Sequence, residues 1–306
     1  MLFCGGLVAA AGACVGDDPR TVATPEADSS IEASSIGPSD GSAADASAVK
    51  EPAKDAADAA NEAPPFNPAK VAGLVLWLDA QDSATFTTNG GKIAAWADKS
   101  SATNDALAIP AAGSEPARVA SAALGKQVVR FTGGDQALAV ADDFSLYFQS
   151  TDDFLIAVVA SYTSAASSGA FIAKTNFPTN DKGFFLTTFG TGKVCFAIDA
   201  ACGEFPVTPG AFHRFIARRT AAGTRTSTLV DGVELSVRTI EPPVDVSMPG
   251  KALLIGAGRK SGTTITEGLN GDIAEVLVYH AAPTGPGLSA KQVAEIDAYL
   301  VSKWGL

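Results

Sequence analysis

Carboxylate pairs, histidines and cysteines are the side chains of this chain that could make or break bonds. Retaining hydrolysis of a glycosidic bond needs two carboxyl groups facing each other roughly 5 to 5.5 Å apart. Glu295 and Asp297 have the right types close together. They fall in an apolar stretch of helical period, where positions i and i+2 diverge by about 200°, so the pair is a decoy. Asp142-Asp143 and Asp152-Asp153 are adjacent residues; in a strand they point to opposite faces, and in a loop they are solvated. His213 and His280 are the two histidines. Neither lies near a Gly-x-Ser-x-Gly elbow, and both read as strand residues. No catalytic residue is assigned, and the chain reads as a non-enzyme.

The four cysteines divide by position. Cys4 lies in an apolar run from Met1 to Ala13 that closes on Ala11-Gly12-Ala13-Cys14. Small residues before a cysteine are what a lipoprotein signal peptidase accepts, which makes residues 1–14 a lipoprotein-type signal segment with Cys14 as the lipidated residue. An ordinary signal cut near Ala13, leaving Cys14 unmodified, is the alternative; no Lys or Arg precedes Arg20, a departure from the usual charged start. The run is too short for a transmembrane helix of about 20 residues. Either way the mature chain is extracytoplasmic: lipid-anchored in the cell envelope in the first case, secreted in the second. Cys195 and Cys202, with six residues between them, fit a small disulfide loop in that oxidising compartment. A zinc site would need further Cys or His ligands than His213 supplies.

Stepping outward from these residues, residues 15–65 are a mix of Ala, Ser, Asp, Glu, Pro and Thr with no aromatic side chain. Too little apolar surface is present to offset chain entropy, so this stretch is expected to be a disordered linker. It holds eleven Asp and Glu against three Lys and Arg, a balance of −8, which leaves −3 for the rest of a chain of net charge −11. The acidity belongs to the linker. Nucleic acid is not an expected partner, since no clustered basic face appears. Arg214, Arg218 and Arg219 come nearest, and strand alternation should leave them solvated and ungrouped.

Residues 66–306 carry the elements that must position any site. Short alternating or apolar runs separated by Gly, Asp, Asn and Thr turns indicate an antiparallel all-β fold. Strands are expected at 74–78, 127–131, 154–162, 184–188, 194–198, 214–218, 226–230, 252–255 and 273–279. Phe189 to Lys193 reads as a hairpin turn, and Asp231-Gly232 as a two-residue turn tolerant of positive φ, making 213–240 a meander. One helix is expected: Ser289 is its N-cap, Val293, Ile296, Leu300 and Trp304 form one apolar face, and Gly305 closes it. No repeat of fixed period occurs, which disfavours propellers and solenoids.

Four stretches taken together resemble a known family: Leu74-Val75-Leu76-Trp77-Leu78-Asp79-Ala80-Gln81-Asp82; Trp96-Ala97-Asp98-Lys99-Ser100; Val128-Val129-Arg130-Phe131-Thr132-Gly133-Gly134-Asp135; and Leu269-Asn270-Gly271-Asp272-Ile273-Ala274-Glu275-Val276-Leu277-Val278-Tyr279. In order and spacing they are similar to bacterial laminin-G-like domains of the concanavalin A-like lectin/glucanase superfamily. The stretch from Ile296 to Lys303-Trp304-Gly305-Leu306 resembles the helical tail that often ends such domains. The resemblance covers residues 70–306. It implies a two-sheet antiparallel jelly-roll sandwich with one C-terminal helix. Superfamily members divide among sugar-binding modules, protein-interaction modules and a minority of glycosidases, so fold alone does not choose.

The resemblance also implies rim loops that hold Ca²⁺ through Asp and Asn oxygens. The candidate ligands are Asp98, Asn104 and Asp105, with Asp135 and Asp272 as further carboxylates; the bland reading is that Asp98 and Asp105 bond turn N–H groups. For sugar recognition, Phe177, Asn180 and Asp181 form the candidate loop. Trp77, Trp96 and Trp304 read as core. The resulting expectation is a membrane-tethered, non-catalytic binding module for a glycan or another envelope protein. Its alternatives are a structural or adhesive surface component and a divergent glycoside hydrolase.

Overall fold

The computed structural model describes residues 66–109, 115–163, 168–175, 182–190, 192–199, 201–261, 264–281 and 287–306. Cys14, the 15–65 linker and the candidate residues Phe177, Asn180 and Asp181 lie outside them. In chain order the strands are β1 (Leu74–Asp79), β2 (Phe86–Asn89), β3 (Lys92–Trp96), β4 (Ala106–Ala108), β5 (Ala117–Ser121), β6 (Lys126–Thr132) and β7 (Leu138–Val140). Then come β8 (Asp153–Tyr162), β9 (Ala170–Thr175), β10 (Gly183–Thr188), β11 (Lys193–Ile198), β12 (Ala201–Pro206) and β13 (His213–Thr220). The last are β14 (Arg225–Val230), β15 (Val233–Thr239), β16 (Leu253–Ile255), β17 (Ala257–Ser261), β18 (Thr264–Gly268) and β19 (Asn270–Ala281), followed by helix α1 (Ala290–Trp304).

Two antiparallel sheets stack face to face. Sheet A runs β15-β14-β13-β8-β19-β6-β5, and β1 also pairs with β19. The twelve-residue β19 accepts β6 along Asn270–Ile273 and β1 along Glu275–Tyr279, so two strands share one of its edges. Sheet B runs β12-β11-β10-β9-β16-β7-β4-β3-β2. β17 and β18 form a separate hairpin. The expected 213–240 meander is β13-β14-β15, and Asp231-Gly232 turns with both φ positive, at 51° and 82°.

Burial follows the two-residue period. On β8, Phe154, Ile156, Val158 and Ala160 point between the sheets, while Leu155, Ala157 and Val159 point outward under α1. Both faces of this strand are covered, which is why it reads as an unbroken apolar run rather than an alternating one. Helix α1 docks on sheet A through Val293, Ile296, Leu300 and Trp304, the face expected from spacing. Ser289 and Gln292 form a capping box at its start, and Gly305 adopts the left-handed conformation at its end. Trp96 and Trp304 are buried; Trp77 is half-buried against the α1 cluster.

The expectation for the arginines is corrected here. Arg219 is wholly buried and donates to the carbonyls of Asp152, Val244 and Gln149. Burial brings its guanidinium down to about 10. Arg214 is buried too, held by Asp297 of α1 at 2.9 Å. Strand alternation sends Arg218 and Arg219 to opposite faces, and a long side chain on the inner face can reach loop carbonyls. Cys195 and Cys202 form a disulfide between neighbouring strands β11 and β12.

Candidate functional site

The outer faces of the sheets differ in what covers them. Sheet A carries α1. On sheet B, Leu254 of β16 points outward, between the core residues Leu253 and Ile255, and packs under the β17-β18 hairpin with Ala257 and Ile265. Thr175 shares that outward face, being two residues beyond Ala173, the strand partner of Leu254. Beside them opens a cavity of about 310 Å³, lined by Asp142, Thr175, Gly250, Lys251, Ala252, Leu254 and Lys260.

Asp142 is the hub of its wall. Asp143 bonds the Ser145 N–H at 2.8 Å and starts a short 3₁₀ turn over Phe144–Leu146. That turn buries Leu146 and leaves the Phe144 ring 74% exposed. The Tyr147 ring lies 5.5 Å from Phe144, tilted by 55°. The Tyr147 hydroxyl donates to Asp142 Oδ2 at 2.6 Å, and the Gly250 N–H donates to the same oxygen at 2.6 Å. Gly250 stands at φ +76°, a left-handed position that suits glycine in the turn after Met248. On the other side Lys174, 0% exposed, donates to Asp142 Oδ1 at 3.0 Å and to the Leu146 carbonyl at 3.2 Å. Its ammonium lies 4.6 Å from the centre of the Tyr147 ring.

These contacts set the charge state. Burial raises the Asp142 carboxyl, but Tyr147, Lys174 and the Gly250 N–H outweigh it and hold the group below its usual value. Burial draws the Lys174 ammonium down, with Asp142 opposing. The bond to Asp142 pushes the Tyr147 phenol up. The cavity thus offers an ionised carboxylate, the Lys260 ammonium and the Thr175 hydroxyl, with half-buried Tyr147 bonded to Asp142 and exposed Phe144 beyond it. One carboxylate cannot divide the acid and nucleophile roles of a retaining glycosidase. Asp142 and Asp143 lie in a loop and are exposed, as expected from sequence, and each also has a structural role: Asp143 caps a turn, and Asp142 gathers Tyr147, Lys174 and the Gly250 N–H. Its role depends on Gly250 and Lys174, distant in the chain, and no local signal marks it.

The residues expected to hold Ca²⁺ are engaged in hydrogen bonds of the loop itself. Asp98 Oδ1 accepts the Trp77 and Ser100 N–H groups, and Oδ2 accepts the Ser100 hydroxyl and the Asn104 N–H. Asn104 turns its amide nitrogen to the Val75 carbonyl and the Ser145 hydroxyl. Asp105 Oδ1 accepts the Asp98 N–H. Both Asp98 oxygens and one Asp105 oxygen thus accept from donors of the loop and its neighbours, the bonding of a hydrogen-bonded turn. Asp272 is engaged elsewhere, with Arg130. Among the described residues no group of three or more His, Cys, Asp or Glu side chains is arranged around a metal.

No protein-family model matches the chain, and no curated protein matches its sequence. Among solved structures it is similar to the Trypanosoma rangeli sialidase bound to 2,3-difluoro-KDN, at 16% identity and a TM-score of 0.53 over 76% of this chain and 33% of that one. The same sialidase with sialic acid gives 17% identity and a TM-score of 0.51, again over 76% and 33%. The binding domain of Paraclostridial Mosquitocidal Protein 1 gives 9% identity and a TM-score of 0.50 over 74% and 52%. The chain spans about a third of the length of the sialidases it matches. What it shares with them is the β-sandwich.

Within that sandwich three of the family-like stretches, those holding Trp77, Lys99 and Glu275, meet away from the cavity around Glu275. This fully buried carboxylate accepts Trp77 Nε1 at 2.8 Å, the Tyr299 hydroxyl at 2.7 Å and Lys303 Nζ at 2.8 Å on Oε1, and Trp304 Nε1 at 2.6 Å on Oε2. Lys303 also pairs with Asp79 at 2.9 Å, and Lys99 bridges Asp79 and Asp82 at 2.9 Å each. With every oxygen of Glu275 engaged and no opening to solvent, the cluster fastens α1 and the Asp98 loop to sheet A. The two histidines are likewise held, His213 by Asp231 at 2.7 Å and His280 by Asp152 at 2.9 Å. Glu295 pairs with Lys291 one turn away, and Asp297 with Arg214.

Proposed function

We propose that this chain is a non-catalytic glycan-binding module of laminin-G-like type, tethered to the cell envelope through Cys14. The observation that carries the reading is the exposed Phe144 ring, packed on the half-buried Tyr147 whose hydroxyl bonds the cavity residue Asp142. Pyranose rings present apolar C–H faces to aromatic rings and hydroxyls to fixed polar groups, and this arrangement supplies both. Asp142 is ionised and fixed, and Lys260 and Thr175 add donors and an acceptor. Holding Asp142 by Lys174, Tyr147 and Gly250 means little ordering is needed when a ligand arrives.

The similar-fold sialidases are described with sialic acid and 2,3-difluoro-KDN, and the clostridial neighbour as a binding domain. Those ligands are sugars, which agrees with the class proposed here; the support comes from the cavity chemistry, since likeness at these identities concerns the fold. The test is a glycan array probed with the wild-type chain and with Phe144→Ala and Lys260→Ala. Binding that both variants lose supports the reading, and an array blank for the wild type rejects it. Tethering is tested separately: a fatty-acid analogue should label the wild type in cells and not Cys14→Ser.

A further inference from the structure

A second cavity lies on the opposite sheet. Along the outer face of β8, the apolar residues Leu155, Ala157 and Val159 that sit under α1 are followed by Ser161. The neighbouring strands change at the same level, from Val128 to Arg130 on β6 and from Ala274 to Asp272 on β19. Arg130, Asp272 and Ser161 are direct cross-strand partners, so their side chains stand in one row. Phe212 continues that row, since the next residue, His213, pairs with Ala160. The row floors a cavity of about 320 Å³, closed at one side by the β5-β6 turn at Ala122 and Ala123.

Its centre is a forked ion pair. Arg130 Nε donates to Asp272 Oδ1 and Nη2 to Oδ2, both at 2.8 Å. Asp272 is buried, whereas the Arg130 side chain is 47% exposed. The pair cancels its own charge, so it attracts neither an anion nor a cation as such. A guanidinium has five N–H donors and a carboxylate about four acceptor positions. The fork uses two of each; among the described residues Arg130 Nη1 has no partner. Donor and acceptor capacity is thus left side by side in a rigid frame, with the Ser161 hydroxyl and the Asn270 amide next to it and the Phe212 ring as an apolar wall.

We propose that this cavity binds an uncharged vicinal diol of a sugar ring, one hydroxyl accepting from Arg130 and its neighbour donating to Asp272, with the ring edge against Phe212. Hydrogen bonds to ionised partners are stronger than neutral ones, and two adjacent ones impose a definite spacing. Because the site is on sheet A and the Asp142 cavity on sheet B, the two fail independently. A module with both would engage two sugar units of one glycan or two glycans at once, which raises avidity without any new contact.

Saturation-transfer NMR on the full chain, with lactose and methyl α-mannopyranoside as probes, tests this. Phe144→Ala disables the sheet B site. In that background at least one probe should still receive saturation, and adding Arg130→Lys or Ala123→Trp should weaken it at least tenfold. Ala123 is exposed, so Ala123→Trp should leave the melting temperature unmoved, whereas Arg130→Lys keeps a charge beside buried Asp272 but loses a bond of the fork and should lower it slightly. Lysine keeps the charge but cannot form the fork, and tryptophan fills the cavity. No transfer from the Phe144→Ala chain overturns the inference while leaving the sheet B site standing, and transfer that survives both added changes overturns it as well.

Discussion

The indole N–H of Trp304, the last residue of the C-terminal helix, donates at 2.6 Å to Oε2 of Glu275 in the middle of β19. That bond ties the end of the chain to the centre of sheet A in a place water does not reach. Trp77, Tyr299 and Lys303 satisfy the other oxygen. A buried carboxylate with complete hydrogen bonding is tolerable, but removing one partner of a buried ion pair strands the other.

Glu275→Ala leaves Lys303 and two indole donors without their shared acceptor. It should cost roughly 3–5 kcal/mol, which for a domain of this size lowers the melting temperature by on the order of 10 °C. Lys291→Ala breaks only an exposed pair within α1 and should change stability by no more than about 0.5 kcal/mol. Equal effects in thermal melts would refute the role given to Glu275.

Acid should expose the neighbouring pair. Burial raises the Asp79 carboxyl, but Lys303 and Lys99 outweigh it and hold the group below its ordinary value of 3.8. A carboxylate depressed in the folded state contributes stability that is present above the unfolded value and lost as pH falls through the folded one. The stability gap between the wild type and Asp79→Asn should therefore be widest near neutral pH and should close below about pH 4. Urea titrations at several pH values measure it, and a gap that stays constant into acid contradicts the pairing.

Asp98 holds its loop by hydrogen bonds to the Trp77, Ser100 and Asn104 N–H groups and the Ser100 hydroxyl. Excess chelator should leave the melting curve unchanged, because no bound ion contributes linkage. Asp98→Ala should lower stability by about 1–3 kcal/mol, the cost of leaving buried donors unsatisfied. A melting temperature that falls on adding chelator would restore a metal to this loop.

Much of the fold is readable from residue patterns. The apolar runs of β8 and β19, the Asp231-Gly232 turn and the Ser289 to Gly305 helix follow from periodicity and capping chemistry that are local in sequence. Strands of three to five residues, such as β4, β7 and β16, are too short to carry a periodic signal; of these only β16 was anticipated, by its Leu253-Leu254-Ile255 run. β15 alternates apolar and polar residues from Val233 to Arg238 as a half-buried strand would, yet Val233, Leu235 and Val237 are the exposed positions, which the pattern alone does not show. The site is less legible. Asp142 acquires its partners from Tyr147, Lys174 and Gly250, which only the fold brings together, and nothing in the letters distinguishes exposed Phe144 from buried Phe148. Arg219 misled because strand period assigns a face but not the carbonyls waiting there. Three of the family-like motifs converge on the Glu275 cluster that locks the helix down, while Arg130 of the remaining one pairs with Asp272.

The most direct measurement is the affinity of the wild-type chain and Phe144→Ala for the strongest glycan on an array, by calorimetry under identical conditions. Phe144 is exposed, so its loss should leave the fold and melting temperature intact. Loss of a stacked aromatic contact of about 0.5–1.5 kcal/mol beyond its buried area should weaken binding by roughly two- to tenfold from stacking alone. An unchanged affinity, or no glycan bound by the wild type at all, would contradict the account.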